Sequence, residues 1–181
     1  MWSPVLRTFP DLRVALSEGG IGWVPYFCDR LDWIYTRHRA WTGQDFGGQL
    51  PSEVFRERIV LCFIDDPSGV DQLDRIGVDQ VCWEADYPHS DSTWPISPET
   101  LWSSIDGLSA EVIDQITHRN AMRHFRFDPF AGGKARTDID VAALRARSTD
   151  VDVTPTSKGH RLAAKTGAAE LIHIGESGNR R

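Results

Sequence analysis

The chain has 181 residues, 40% of them hydrophobic and 25% charged, and a formal net charge of −6, a globular composition rather than a disordered or fibrous one. No apolar run reaches the about 18 residues that a membrane span needs, Met1-Trp-Ser-Pro lacks the basic-then-apolar layout of a signal peptide, and the acid excess argues against broad nucleic-acid affinity. A complete (β/α)8 barrel takes about 250 residues, so the length excludes one within this chain alone.

In chain order, residues 12–17 read as a short strand, and Glu18-Gly-Gly-Ile-Gly22 as a turn able to bring backbone close to a ligand. From Trp23 to about Trp41, apolar residues recur at Trp23, Phe27, Leu31, Ile34 and Tyr35, the spacing of an amphipathic helix. Gly43, Gly47 and Gly48 mark a loop, and Pro51-Ser52-Glu53 opens a second helix to about Arg58. Residues 59–64 form a continuous apolar run, the signature of a strand buried on both faces. Asp65-Asp66-Pro67 ends that strand, and residues 69–76 make a helical connection closed by Gly77. Residues 80–85 read as a third strand, leading into Asp86-Tyr-Pro-His-Ser-Asp-Ser-Thr-Trp-Pro95. Ser97 caps a helix with Pro98 at its first position, and a last helix runs from Ser109-Ala-Glu111 through Ile116 and Met122 towards Phe125. The alternation predicts an α/β fold with parallel strands. Three strands leave two open edges that something should cover.

The chain divides near residue 130. All seven Trp, eight Phe and three Tyr lie at or before Phe130. Residues 1–130 carry 11 Arg against 20 Asp and Glu, whereas residues 131–181 carry nine Lys and Arg against six acids. With little apolar area to bury, 131–181 is expected to be a mostly disordered, mildly basic tail, with a transient helix over Val141–Arg147. Cys28, Cys62 and Cys82 are odd in number and too widely spaced for a metal-binding pair. Buried free thiols in a reducing cytoplasm are the economical reading.

Chemistry in parallel α/β folds gathers at the C-terminal ends of strands. Those ends here carry Ser17-Glu18, Asp65-Asp66 and Glu84-Ala-Asp86. Two readings stand: one acidic mouth suited to a divalent cation or cationic substrate, or acids that cap the following helices. The run Glu84-Ala-Asp86-Tyr-Pro-His89-Ser-Asp-Ser-Thr-Trp-Pro95 resembles the last-strand motif of amidohydrolase-related proteins, metal-dependent TIM-barrel enzymes that include aminocarboxymuconate-semialdehyde decarboxylase. In the same order, residues 9–25 resemble that family's sixth strand and following turn, Cys62-Phe-Ile-Asp-Asp-Pro67 its seventh, and Asn120-Ala121 the pair on its closing helix.

The resemblance covers about residues 5–130. It implies a partial (β/α)8 barrel, comprising the last three strand–helix units, followed by the tail. It also implies a divalent metal, usually zinc, with Asp86 as metal ligand and proton acceptor and His89 as a secondary catalytic participant. Glu18 stands where many members have a metal-binding His, and becomes a metal ligand or substrate contact. Tyr87 and Ser90 would face the substrate. The implied reaction is hydrolysis or decarboxylation of a small carboxylated or cyclic molecule. The family's first-strand His-x-His and fifth-strand His have no counterpart, so the sequence reads as a truncated chain with an incomplete site. Asp86 and Glu18 alone predict well under one equivalent of bound zinc, since catalytic zinc takes three protein ligands. His38, His118 and His124 are expected to be structural, and His160 and His173 fall in the tail. Expected partners are the substrate, an N-terminal barrel fragment or a second copy, with no nucleic acid and no membrane, in the cytoplasm. The competing reading is a non-catalytic interaction module derived from a degenerate barrel, with the tail as its contact.

Overall fold

The structure is a computed structural model that describes residues 1–153. His160, His173 and the part of the tail expectation that concerns 154–181 lie outside the described residues. The chain divides into two units, Met1–Ile139 and a second one starting at Asp140. In the second, Val141–Arg147 is helical, and the Asp140 carboxylate caps it by accepting from Ala143 N.

The first unit is built on a parallel sheet of β1 (Val14–Leu16), β2 (Ile59–Phe63) and β3 (Val81–Trp83), in that spatial order. Val14 pairs with Ile59, and Leu61, Cys62 and Phe63 pair with Val81, Cys82 and Trp83. Every residue of β2 is buried, as its unbroken apolar run predicts. The pleat sends Ile59, Leu61 and Phe63 to one face, where they join Val81, Ile21, Val24, Cys28, Phe55, Ile105 and Ile116 in the main core. Fully burying a side chain such as Phe63 or Leu61 contributes about 2–3 kcal/mol. The opposite face carries Val60, Cys62 and Cys82, packed against Ala121.

The helices are α1 (Val5–Thr8), α2 (Val24–Thr42), α3 (Pro51–Arg58), α4 (Pro67–Val70), α5 (Leu73–Ile76), α6 (Ser97–Ile105), α7 (Ala110–Asp114) and α8 (Asn120–Phe125). A π-helical turn, Gln115–Arg119, joins α7 to α8. α2 buries Val24, Cys28, Leu31 and Tyr35 on one stripe. Its two acids are engaged: Asp29 pairs with Arg75 at 2.9 Å, and Asp32 accepts from the Ser52 amide and hydroxyl.

Several elements differ from the sequence expectation. β1 is shorter than 12–17, and β3 begins at Val81 because residues 78–80 form a 3-10 turn, with the Gln80 side-chain Nε2 donating to Ile76 O. The connection expected at 69–76 is two short helices, interrupted at Asp71 and Gln72. Ser97 is the first residue of α6 rather than its cap, and its buried hydroxyl has no partner. Cys28, Cys62 and Cys82 are free and buried. The Cys62 sulfur and burial together push the Cys82 thiol well above its ordinary pKa.

Candidate metal-binding mouth at the strand ends

The acids at the strand ends divide into two classes. Asp66, just past β2, is a fastener. Its Oδ2 accepts from the Ile21 and Gly22 amides at 2.7 Å each, and its Oδ1 accepts from Gly69 N at 2.9 Å. The turn after β1 is thereby tied to the start of α4. This close approach needs glycine: a Cβ on Gly69 would sit 2.3 Å from Ile21 Cγ1 and 2.9 Å from the Gly22 backbone nitrogen. Gly69→Ala is therefore expected to cost about 1–3 kcal/mol of stability by overpacking, measured as a lowered urea midpoint with an unchanged slope.

Glu84, just past β3, is the second fastener: its Oε1 accepts from the Glu18 amide at 2.6 Å. Asp65 accepts from the Ser104 hydroxyl. For Asp66, the helix-capping reading of the strand-end acids describes the geometry.

Glu18 and Asp86 are different. Both hold left-handed backbone conformations, with φ of 63° and 53°, each costing on the order of 1 kcal/mol, and such strain gathers at functional sites. The turn after β3 closes with His89 N donating to Asp86 O at 2.8 Å. It brings His89 Nδ1 to 2.8 Å from Asp86 Oδ2 and 3.9 Å from Glu18 Oε2. One ligand atom from each of Glu18, Asp86 and His89 lies within 4.8 Å of the others. The Asp86 side chain is 14% exposed, while Glu18 and His89 are half exposed. Residues 68 positions apart in sequence thus converge because β1 and β3, on either side of β2, end at the same edge of one parallel sheet.

An ionised carboxylate only accepts, so a neutral His89 donates from Nδ1 to Asp86 and leaves Nε2 as an acceptor. Tyr87 is exposed and rests against Trp94, ring centroids 5.1 Å apart. Ser92 Oγ donates to Ala85 O at 2.6 Å and accepts from Trp94 N, which shapes this loop. Ser90 lies on the exposed side of the same loop.

The other described histidines take no part in this group. His38 Nδ1 accepts from the Trp41 indole N–H at 3.1 Å, His118 lies beside Thr117, and His124 Nε2 is 2.9 Å from Asp79 O. The sequence reading missed that His89 turns back onto both carboxylates. It also missed that Glu84 accepts from the Glu18 amide and that Asp66, besides capping α4, accepts from the Ile21 and Gly22 amides. The first was signalled by the three-residue spacing of Asp86 and His89. The second depends on contacts 45 and 66 residues apart, which no local pattern encodes.

The family profile of amidohydrolases matches residues 2–127. Among solved structures, 5-carboxyvanillate decarboxylase from Sphingomonas paucimobilis superposes with a TM-score of 0.58 at 22% identity, over 70% of this chain and 37% of that one. An amidohydrolase from Mycobacterium avium subsp. paratuberculosis gives 0.55 at 22% identity, over 66% of this chain and 29% of that one. A 2,6-dihydroxybenzoate decarboxylase complexed with 2,6-dihydroxybenzoate gives 0.51 at 22% identity, over 70% and 38%. The chain thus spans well under half the length of the solved proteins it resembles. The search of curated proteins found no match. Strand ends that converge two carboxylates and an imidazole accord with the profile match, and on that match the chain belongs to the amidohydrolase family.

Proposed function

We propose that residues 1–130 are the last three strand–helix units of a metal-dependent (β/α)8 hydrolase or decarboxylase that acts on a small carboxylated or cyclic substrate. The convergence of Glu18, Asp86 and His89 carries this reading. Two oxygen donors and one imidazole nitrogen suit a divalent ion such as zinc, and the three ligand atoms are close enough to share one. A bound ion would supply Lewis-acid polarisation and acidify a water molecule.

The chain's own residues would do the rest. Asp86, the least exposed of the three, would accept a proton on its carboxylate, while the 2.8 Å hydrogen bond from His89 Nδ1 to Oδ2 holds the two side chains in register and leaves His89 Nε2 as a second acceptor. Glu18 is a ligand or a contact to substrate, held in place through its backbone by Glu84. Tyr87, backed by Trp94, offers an aromatic wall to a ring, and Ser90 a hydroxyl donor beside it. The names of the two decarboxylases above specify aromatic carboxylates, which supports the same substrate class here.

The sequence expectation of sub-stoichiometric zinc counted two carboxylates; His89 supplies a third donor. Calorimetric titration of the 181-residue chain with zinc is expected to register one ion per chain. Asp86→Asn, Glu18→Gln and His89→Ala should each weaken binding by roughly 10- to 100-fold. Zinc binding that is absent, or indifferent to all three variants, would refute the site.

A further inference from the structure

Arg58, the last residue of α3, directly precedes β2 and so stands at the end of the sheet away from Glu18, Asp86 and His89. With Arg7 of α1 and with Asp45 and Phe46 of the connection between α2 and α3, it lines a cavity of about 310 Å³. The Arg58 side chain is only 18% exposed. Among the described residues its buried Nε has no hydrogen-bond partner. Its one ion-pair contact, Glu57 Oε2, stays 4.0 Å from Nη2, and the other Glu57 oxygen accepts from Gln49 at 2.9 Å. A basic residue in the last turn of a helix is favoured by the helix dipole, which accounts for the charge at this position. It does not account for a guanidinium taken out of water without an acceptor, an arrangement that costs free energy unless something supplies one.

Arg7 is the second cation of the cavity, and it is already fixed. Its guanidinium carbon lies 4.1 Å from the centroid of the Phe46 ring, and its Nη2 donates to Gln44 Oε1 at 3.0 Å. Phe46 is itself held, 3% exposed and edge-on to Tyr35 with centroids 5.1 Å apart. Arg7 still has unused N–H groups, because a guanidinium carries five. Asp45 is the one acid of the lining, and its Oδ1 accepts from the Gly47 amide at 2.8 Å. Two arginines against one aspartate leave the lining with a surplus of one positive charge.

We infer that this cavity is a binding site for a small organic monocarboxylate. A carboxylate matches a guanidinium edge with two oxygens, and such charge-assisted bonds are the strong ones. The surplus of one charge selects a monoanion over a dianion such as phosphate. The volume, at the lower end for ligand sites, is about ten times the roughly 30 Å³ that a water-sized group fills. It therefore has room for a carbon body, and Leu6 and Val54 supply apolar wall for one. The cavity lies at the opposite end of the strands from the proposed metal site, and the inference does not rest on that site.

Calorimetric titration of the 181-residue chain with sodium benzoate in zinc-free buffer tests it. The wild type is expected to take one benzoate per chain with a Kd of about 1 mM or below, and saturating benzoate should raise the midpoint of urea unfolding. Arg58→Met should weaken binding at least about tenfold and abolish that rise. Arg7→Gln, on a different element, should do the same and stands even if the first variant fails to fold. His89→Ala should bind benzoate as the wild type does, which separates this cavity from the strand-end mouth. Benzamide, with the same shape and no charge, and inorganic phosphate should each bind at least about tenfold more weakly than benzoate. No saturable binding up to about 10 mM, benzoate binding indifferent to both arginine variants or lost in His89→Ala, or equal binding of benzamide or phosphate would overturn the inference.

Discussion

Replacing Asp66 by alanine is expected to cost about 4 kcal/mol of stability, the largest loss for any single side chain at the strand ends. Among the described residues its carboxylate is the only acceptor for the Ile21 and Gly22 amides, and it accepts a third bond from Gly69. Hydrogen bonds to a charged acceptor contribute roughly 1.5–3 kcal/mol each, and part-buried amides left without one bear a desolvation cost. The three bonds share one carboxylate, so their losses do not add fully. The midpoint of urea unfolding should fall by roughly 2 M. Asp66→Asn keeps one oxygen but turns an NH2 group towards a donor, and should cost about half as much. Because the same carboxylate sets the turn that carries Glu18, zinc affinity should fall in Asp66→Ala even under conditions where the chain stays folded. An unchanged midpoint would mean that the turn holds its shape without the fastener.

The second large effect is expected at Asn120. Its side chain is 1% exposed, and its Nδ2 donates to Val78 O at 2.7 Å and Val81 O at 2.8 Å, joining the closing helix to the start of β3. Its Oδ1 also accepts from Arg123, which further binds Asp79 O. Asn120→Leu preserves volume but leaves two carbonyls without a donor, at about 3 kcal/mol. Asn120→Asp should cost more, since it sets a carboxylate against two carbonyl oxygens in a buried position. Equal destabilisation by the two variants would assign the effect to packing rather than to hydrogen bonding. Denaturant titration of both separates these outcomes.

How far the sequence can be read depends on the range of the interaction involved. β2 was legible because all its residues are buried, which leaves an unbroken apolar run. α3 was legible because Pro51 and Glu53 mark its start, and the Glu53 carboxylate does accept from Leu50 N at 2.6 Å. β1 was overextended because Leu12 and Arg13 alternate like a strand but make no ladder with β2, which begins opposite Val14. The Ser-Pro-Glu at 97–99 has the local chemistry of a cap, yet burial of Ser97 in the fold overrode it. At the site, the resemblance of residues 84–95 singled out Asp86 and His89, and that of residues 9–25 singled out Glu18 at the end of its strand. Their mutual arrangement required the register of β1 against β2 and of β2 against β3, which sequence spacing does not specify.

The π turn at Gln115–Arg119 has a consequence for how this chain tolerates changes in length. Such a turn holds one residue more than α-helical winding would; it contains Ile116, fully buried in the core, and runs directly into Asn120. Deleting a single residue there would wind the segment back to a regular helix with the flanking turns in phase, whereas a deletion within α7 would rotate everything after it by about 100°. Asn120 would then swing away from Val78 and Val81. An insertion in the glycine-bearing connection at 43–50 shifts no such phase, because the chain there runs over the surface between two helices. Gaps among homologous sequences should therefore collect in that loop and avoid α7, where a missing residue changes the direction of every side chain that follows.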